Sequence, residues 1–362
     1  MRRFAAVIMT AVLLLRVPVA ALPFRVYAEC AVLLNADTGE ILFGRGENAR
    51  MQPASMTKIM TAYVVLASLP LDGTVAVPAR AVGAEGSSAY LSEGEVFTVR
   101  ELLYALLLQS ANDAALTLAC AFGGVDAFVA EMNKTASSLG LTGTHFSNPH
   151  GLPDSDHYST AYDIARLLIE CMKNADFALI CGETHYTVTP GQLRRGREFY
   201  NHNRLLSECD GVIAGKTGYT ASAGRCLCSY YEKDGVRLCA VTMNDPRDWD
   251  DHKRLYDYGS SLFRQYVIDV DREFSVHVVG GLTDSAVCRV KKRVTVAVKT
   301  GEKPEMTVCM RRFEYAPVAA GQRLGSLLWY VDGRIIYEIK LYADNKVEAS
   351  YISFEEFFKW KK

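Results

Sequence analysis

The chain has 362 residues, 40 basic and 41 acidic side chains, a formal net charge of -1 and 22% charged residues. That length accommodates two domains with a sizeable core. Balanced charge, with no basic block or stripe, argues against nucleic acid as a partner.

The N-terminus reads as an export signal. Arg2 and Arg3 form a charged start, and residues 4–15 form an apolar run too short to span a bilayer comfortably. Small-residue cleavage sites follow at Val19-Ala20-Ala21 and Val26-Tyr27-Ala28. The second is favoured, because a strand-like run begins at residue 31, and this makes residues 1–28 the expected signal peptide. An uncleaved N-terminal anchor is the other reading. Glu29 stands before Cys30 where a lipoprotein signal requires a small residue, so lipidation is not expected. No later stretch is long and apolar enough for a transmembrane helix.

Ten cysteines in an exported chain invite a disulfide framework, but their spacing does not supply one. Cys226 and Cys228 alternate along a predicted strand and share a face, where they are poorly placed to bridge each other. Cys120, Cys171 and Cys239 sit in apolar surroundings and read as small core residues. No paired C-x-x-C words and no H-E-x-x-H word exist, so no metal is expected.

In chain order, a hairpin is predicted over residues 29–50, with strands at 31–34 and 41–43 about the turn 35–39. Pro53 announces a helix whose body, 59–69, is apolar nearly all round and therefore belongs inside a domain. Residues 100–170 read mainly as helix: Leu102, Leu103, Leu106 and Leu107 recur at helical spacing, and 114–121 continues the pattern. The stretch Asn148-Pro149-His150-Gly151-Leu152-Pro153 is a loop, and helix returns over 160–173. From Gly211 the period changes, and 225–231 and 236–243 read as strands about the turn Lys233-Asp234-Gly235. Strands, then helices, then strands predict a mixed sheet covered by helices. Beyond about residue 270 the composition is strand-rich. Residues 294–298 alternate, Asp332-Gly333 is a hairpin turn between 327–331 and 334–342, and further turns fall at Thr300-Gly301 and Asp344-Asn345. A separate small all-β domain is expected there.

Three short words carry chemistry. In Ser55-Met56-Thr57-Lys58, residues three apart share a helix face, so hydroxyl and amine can meet. Ser55 would lie in the first helical turn, where free N–H groups and the helix dipole favour developing negative charge. Lys58 lies within an otherwise apolar helix, and desolvation should lower its pKa and make it a base. Alone, S-x-x-K is weak, expected about once by chance in a chain of this length. Ser110-Ala111-Asn112 follows the helix 102–109. From a connecting loop its hydroxyl can relay a proton, and its carboxamide can bond the lysine or a substrate peptide carbonyl. The same residues equally suit a helix cap. In Lys216-Thr217-Gly218-Tyr219, expected to precede a strand, lysine and threonine can hold a carboxylate, and Gly218 admits a peptide backbone to the strand edge. An ordinary turn with a surface lysine is the plain alternative.

Taken in order, the three words resemble the D-alanyl-D-alanine carboxypeptidases of the low-molecular-mass penicillin-binding proteins, serine peptidase family S11. Similar flanking stretches include Ser110–Ala115, Thr144–Leu152, His157–Asp163 and Asn203–Leu206, so the resemblance covers nearly all of residues 29–270. Residues 244–259, with Asp248-Trp249-Asp250-Asp251-His252, resemble the sporulation-associated branch.

The resemblance implies an α+β fold: the penicillin-binding transpeptidase and β-lactamase-like fold, an antiparallel sheet flanked by helices, over residues 29–270. A β-rich domain over 271–350 and a short amphipathic tail over 351–362 would follow. It implies that Ser55 is the nucleophile and Lys58 its base, with Ser110 and Asn112 as the second element. Lys216, Thr217 and Gly218 would line the carboxylate strand, and the backbone N–H groups of Ser55 and Tyr219 would form the oxyanion hole. The implied reaction removes the terminal D-alanine from peptidoglycan stem pentapeptides, with no metal or organic cofactor. β-Lactams would acylate the same serine. Relatives often carry an arginine late in the catalytic domain that helps bind the terminal carboxylate, and Arg247 is near the right place without a fixed register. Aromatics and terminal lysines in the tail could settle at an anionic membrane surface. A helix docked on the β domain is the other reading. An extracytoplasmic, cell-envelope location is expected.

Other readings use the same residues. A class A β-lactamase needs a glutamate-activated water, and no E-x-x-x-N word lies between Asn112 and Lys216. A DD-endopeptidase would share the whole site. A peptidoglycan or β-lactam sensor that acylates and stalls would also keep the three words.

Overall fold

In this computed structural model, residues 24–191 and 194–350 are described. The tail at 351–362 and most of the expected signal peptide lie outside the described residues.

Strands β1 (Cys30–Asn35) and β2 (Ile41–Arg45) form the predicted hairpin. A 3₁₀ turn, Ala54–Thr57, runs into α1 (Lys58–Ser68). A small hairpin of β3 (Thr74–Ala76) and β4 (Val96–Thr98) brackets a long loop. Helices α2 (Val99–Leu107), α3 (Asn112–Phe122) and α4 (Val125–Ser138) follow, then α5 (Ala161–Cys171) and α6 (Ala175–Gly182). Side chains set several helix starts. Thr98 accepts from the Glu101 N–H at 3.2 Å while Glu101 accepts from the Thr98 N–H at 2.8 Å, a reciprocal cap worth about 1 kcal/mol. Thr160 caps α5 in one direction only, accepting from the Asp163 N–H at 3.0 Å.

A second small hairpin, β5 (His185–Val188) with β6 (Arg197–Tyr200), and the short α7 (Leu205–Glu208) lead back to the sheet. There β7 (Val212–Thr220), β8 (Gly224–Lys233) and β9 (Val236–Met243) are followed by α8 (Asp248–Ser261). The five strands run in the order β2-β1-β9-β8-β7, antiparallel throughout rather than mixed.

Alternation along the strands builds two cores. Val32, Leu34, Cys228 and Val241 face the α1–α6 layer, and Ala31, Leu33, Leu227 and Leu238 face Leu255 and Tyr256 of α8. This sheet is thus covered on both faces, with β2 and β7 as its edges. Among the described residues no single helix is long and apolar enough to cross a membrane.

Strand β10 starts at Phe263, directly after α8, and runs to Val279. It pairs with β11 (Ser285–Lys299) from Phe263 to His277 and with β13 (Phe313–Tyr315) at its end. Strands β12 (Glu305–Met310), β14 (Arg323–Val331) and β15 (Arg334–Tyr342) form the facing sheet, and Asp332-Gly333 makes the expected turn. Val270, Val276, Cys288, Leu327 and Trp329 fill the space between the two sheets.

Candidate active site

The first word is shaped by its neighbours before any chemistry is considered. Ser55 lies in the 3₁₀ turn just ahead of α1, and the preceding Ala54 has φ +48°, a conformation a non-glycine residue holds only where its surroundings impose it. Two glycines impose it here. A Cβ on Gly151 would stand 1.9 Å from the Ala54 carbonyl oxygen, and one on Gly218 would stand 3.0 Å from the Ser55 nitrogen and 3.1 Å from the Pro53 carbonyl. The loop 147–151 and the edge strand β7 therefore clamp the serine turn by direct backbone approach.

Lys58 is fully buried. Its Nζ lies 2.9 Å from Ser55 Oγ and donates to the His150 carbonyl at 2.7 Å. Desolvation, then the nearby Lys216 ammonium, hold its pKa well below the ordinary lysine value, and Asp113 opposes this only in part. The supporting loop is tied to α1 by side chains: Thr61 donates to the Pro149 carbonyl at 2.5 Å, and Thr57 Oγ1 meets His157 Nε2 at 2.8 Å. Because His157 Nδ1 accepts from the Ser147 N–H at 3.0 Å, Nε2 carries the proton and donates to Thr57.

Burial holds His157 down to about 4 and, in the core behind the sheet, His252 down to about 3. Both stay neutral in the fold while an unfolded histidine titrates near 6.5, so the unfolded state binds more protons below that pH. Stability should therefore fall as pH drops from 7 towards 5, by on the order of 2 kcal/mol for each buried histidine. Urea unfolding at the two pH values, repeated on His157→Gln, checks this: the variant should lose part of the dependence.

The second word lies where α2 ends and α3 begins. Ser110 has φ +60° and is almost fully buried, and Asn112 is the first residue of α3 rather than a loop residue. Asn112 N–H donates to the Ser87 carbonyl at 2.7 Å and its Nδ2 to the Glu85 carbonyl at 2.5 Å, while Oδ1 is buried with no hydrogen-bond partner among the described residues. Asp113 accepts from Ser88 Oγ and from the N–H groups of Ala89 and Leu91, fixing the loop that presents Ser87.

The third word does not precede a strand. It forms the second half of β7, opposite β8, with Lys216 paired to Cys228, Gly218 to Cys226 and Tyr219 to Arg225. Lys216 is 1% exposed and donates to the Thr217 carbonyl at 3.0 Å. Burial pushes its pKa down to about 8, and the neighbouring Cys228 and Cys181 oppose this.

These elements border a cleft of about 500 Å³ lined by Ser55, Ser110, Thr217, Arg225, Asp248 and Trp249, with Gly218 and Tyr219 at its β7 edge. Lys58, Asn112 and Lys216 stand behind that lining. Arg225 is its one lysine or arginine among the described residues. Asp248 holds the guanidinium through Nη2 at 2.6 Å and Nε at 3.2 Å, and the Trp249 ring centroid lies 5.6 Å from Cζ. Arg247 instead lies over the Tyr27 ring at 4.4 Å and does not line the cleft. Sequence reasoning did not single out Ser87 or Arg225, and it gave His157, Asp248 and Trp249 no site role although they fall in stretches that carry the resemblance. The 7-residue advance from Gly218 to Arg225 was a usable signal, since a hairpin through Thr220–Gly224 must set β8 beside β7.

A hydroxyl 2.9 Å from a buried amine, on the wall of a cleft edged by an open strand, defines a serine acyl-transfer enzyme of the penicillin-recognising fold. The sequence model of the family described as D-alanyl-D-alanine carboxypeptidase matches residues 17–247, and that of the penicillin-binding protein 5 C-terminal domain matches 270–349. The chain belongs to the D-alanyl-D-alanine carboxypeptidase family and is a serine-type peptidase. It is 31% identical to the D-alanyl-D-alanine carboxypeptidase DacF of Bacillus subtilis over 342 residues, covering 90% of this chain and 88% of that protein. Against DacB2 of Mycobacterium tuberculosis the identity is 36% over 244 residues, 65% of this chain and 83% of the relative. The structure of penicillin binding protein 5 from Haemophilus influenzae superposes with a TM-score of 0.64 at 27% identity, covering 90% of this chain and 99% of that one.

Proposed function

We propose that the chain removes the terminal D-alanine from peptidoglycan stem pentapeptides through an acyl-enzyme on Ser55. The observation that carries this is the 2.9 Å contact between Ser55 and a fully buried Lys58 at the cleft wall. Neutral Lys58 takes the hydroxyl proton as Ser55 Oγ attacks the carbonyl of the penultimate D-alanine. The developing oxyanion is held by the N–H groups of Ser55 and Tyr219, which the close approach of Gly218 to Ser55 brings to one end of the cleft. The proton passes to the departing amine through Lys58 and Ser110, D-alanine leaves, and water hydrolyses the ester. One Nδ2 hydrogen of Asn112 is held by the Glu85 carbonyl, which leaves the second to donate to a substrate carbonyl and the open Oδ1 to accept from Lys58 or a substrate N–H. β-Lactams, which resemble the acyl-D-alanyl-D-alanine end, acylate the same serine.

The substrate's free carboxylate meets Thr217 and Arg225. Lys216 lies under the strand and supplies field rather than contact, and Arg247 is engaged elsewhere, so the Arg225 guanidinium held by Asp248 is the cation left facing the cleft. Arg225→Ala should lower kcat/KM about 10- to 100-fold for a peptide ending in a free carboxylate, the worth of one charge-assisted hydrogen bond. The corresponding terminal amide should lose far less. Equal losses on acid and amide in Arg225→Ala would remove this role.

The enzyme acts outside the cytoplasm, in the cell envelope, delivered by the N-terminal signal. Contact of the tail at 351–362 with the outer face of the cytoplasmic membrane is part of the same reading, on its composition alone. Endopeptidase action on cross-links is the competing use of this site. Incubation with a stem pentapeptide and a cross-linked dimer separates them: D-alanine should appear from the first while the second stays intact, and cleavage of the dimer at a comparable rate would make the enzyme an endopeptidase.

A further inference from the structure

Residues 24–28 precede the first strand and are built into the fold. Ala28 is fully buried and Val26 is 4% exposed, both in the core between the sheet and α8. Arg45 donates to the Val26 carbonyl at 2.7 Å, and Phe24 sits edge-on to Tyr258 with ring centroids 6.3 Å apart. The Tyr27 N–H donates to the Asp251 carboxylate, and Arg247 lies over the Tyr27 ring. Asp251 is itself fully buried, and its other oxygen has no hydrogen-bond partner among the described residues. Arg247, Asp251 and Tyr258 belong to the start and body of α8, whose first residues, Asp248 and Trp249, form the cleft wall. The segment therefore braces the helix that holds Arg225 in place.

A mature chain starting at Glu29 would fold without this brace. It would leave a hole where Val26 and Ala28 pack and a buried carboxylate stripped of its backbone donor, two of the larger destabilising changes a fold can suffer. The site Val19-Ala20-Ala21 removes neither, lies nearer the end of the apolar run at Leu15, and offers the same recognition pair of valine and alanine as Val26-Tyr27-Ala28. The family match, which starts at residue 17, takes in the whole segment.

We propose that the export signal is cut between Ala21 and Leu22, so that the mature chain keeps Phe24–Ala28 as a structural brace for α8. This replaces residue 28 as the end of the signal and rests on the reading that the chain is exported. The step is hydrolysis by a membrane signal peptidase: water adds across the Ala21–Leu22 amide, the signal leaves with a carboxylate at Ala21, and Leu22 becomes the free amino terminus.

The test is the intact mass and N-terminal sequence of the protein recovered from the envelope fraction of a bacterial host expressing the full chain. A Leu22 start is expected. A Glu29 start overturns the placement while leaving export intact, whereas an uncut chain in the cytoplasm overturns export and the cut together. A second measurement compares chains produced directly from Leu22 and from Glu29. The shorter one should unfold on the order of 10 °C lower, and should show a raised KM for the free-carboxylate peptide as α8 loosens. Identical melting of the two would show that the segment is no brace and would remove the reason for the earlier cut.

Discussion

Ser55→Ala is expected to abolish D-alanine release, by at least about 10⁴-fold in kcat/KM, together with all covalent labelling by penicillin. Among the described residues Ser55 is the one hydroxyl that both lines the cleft and hydrogen-bonds a buried amine, so no neighbour there can take over its bond to the acyl group. The substitution removes only an oxygen from a clamped turn, and the melting temperature should stay close to that of the unsubstituted chain. Circular dichroism and fluorescent-penicillin gels on the same preparation check both halves. Undiminished release from a folded Ser55→Ala protein would end the assignment of this serine.

Lys58→Met is expected to lower kcat/KM by about 10³-fold, the usual worth of a positioned proton acceptor, and to slow penicillin acylation alongside it. Here stability should move the other way or not at all. Lys58 is a fully buried amine whose desolvation cost methionine removes at similar volume, which offsets the loss of its bonds to Ser55 Oγ and the His150 carbonyl. Loss of activity with equal or higher melting temperature separates a catalytic amine from a structural one. The pH profile carries the same sign. Only neutral Lys58 accepts a proton, and burial with the Lys216 field holds its pKa well below that of an ordinary lysine. Activity of the unsubstituted enzyme should therefore survive far below pH 10 and fall on the acid side as Lys58 becomes protonated. Acylation rates measured across pH, on enzyme and on Lys58→Met, should show that acid limb only in the former.

Much of this was legible in the residues. The hairpin at 29–50, the buried helix after Pro53 and the Asp332-Gly333 turn follow from local periodicity and turn chemistry, which act over a few residues. The meeting of Ser55 with Lys58 also follows, because both lie within one helical turn. What required the fold was whatever depends on long-range register. That Lys216 points into the protein and Arg225 into the cleft is set by the pairing of β7 with β8 and by the burial of Lys216 against Cys181 and Cys228. The antiparallel order of the sheet depends on β1 inserting between β2 and β9, which strand counting could not decide. The start of β10 at Phe263 was hidden because the exposed Arg264, Gln265 and Asp269 interrupt its apolar residues and blur the alternation. The support of the serine turn by Gly151 had no sequence signal beyond a loop, since a close backbone approach leaves only the absence of a side chain to read.

The central claim is that one serine both turns over D-alanyl-D-alanine peptides and accepts β-lactams. It is tested most directly by titrating the enzyme with penicillin while following D-alanine release from diacetyl-L-lysyl-D-alanyl-D-alanine, with the adduct located by peptide mass. The account predicts many turnovers by free enzyme, a linear fall to zero at one adduct per chain, and that adduct on Ser55. Release that persists in fully acylated protein, or stoichiometric acylation of a protein that never turns over the peptide, would contradict it.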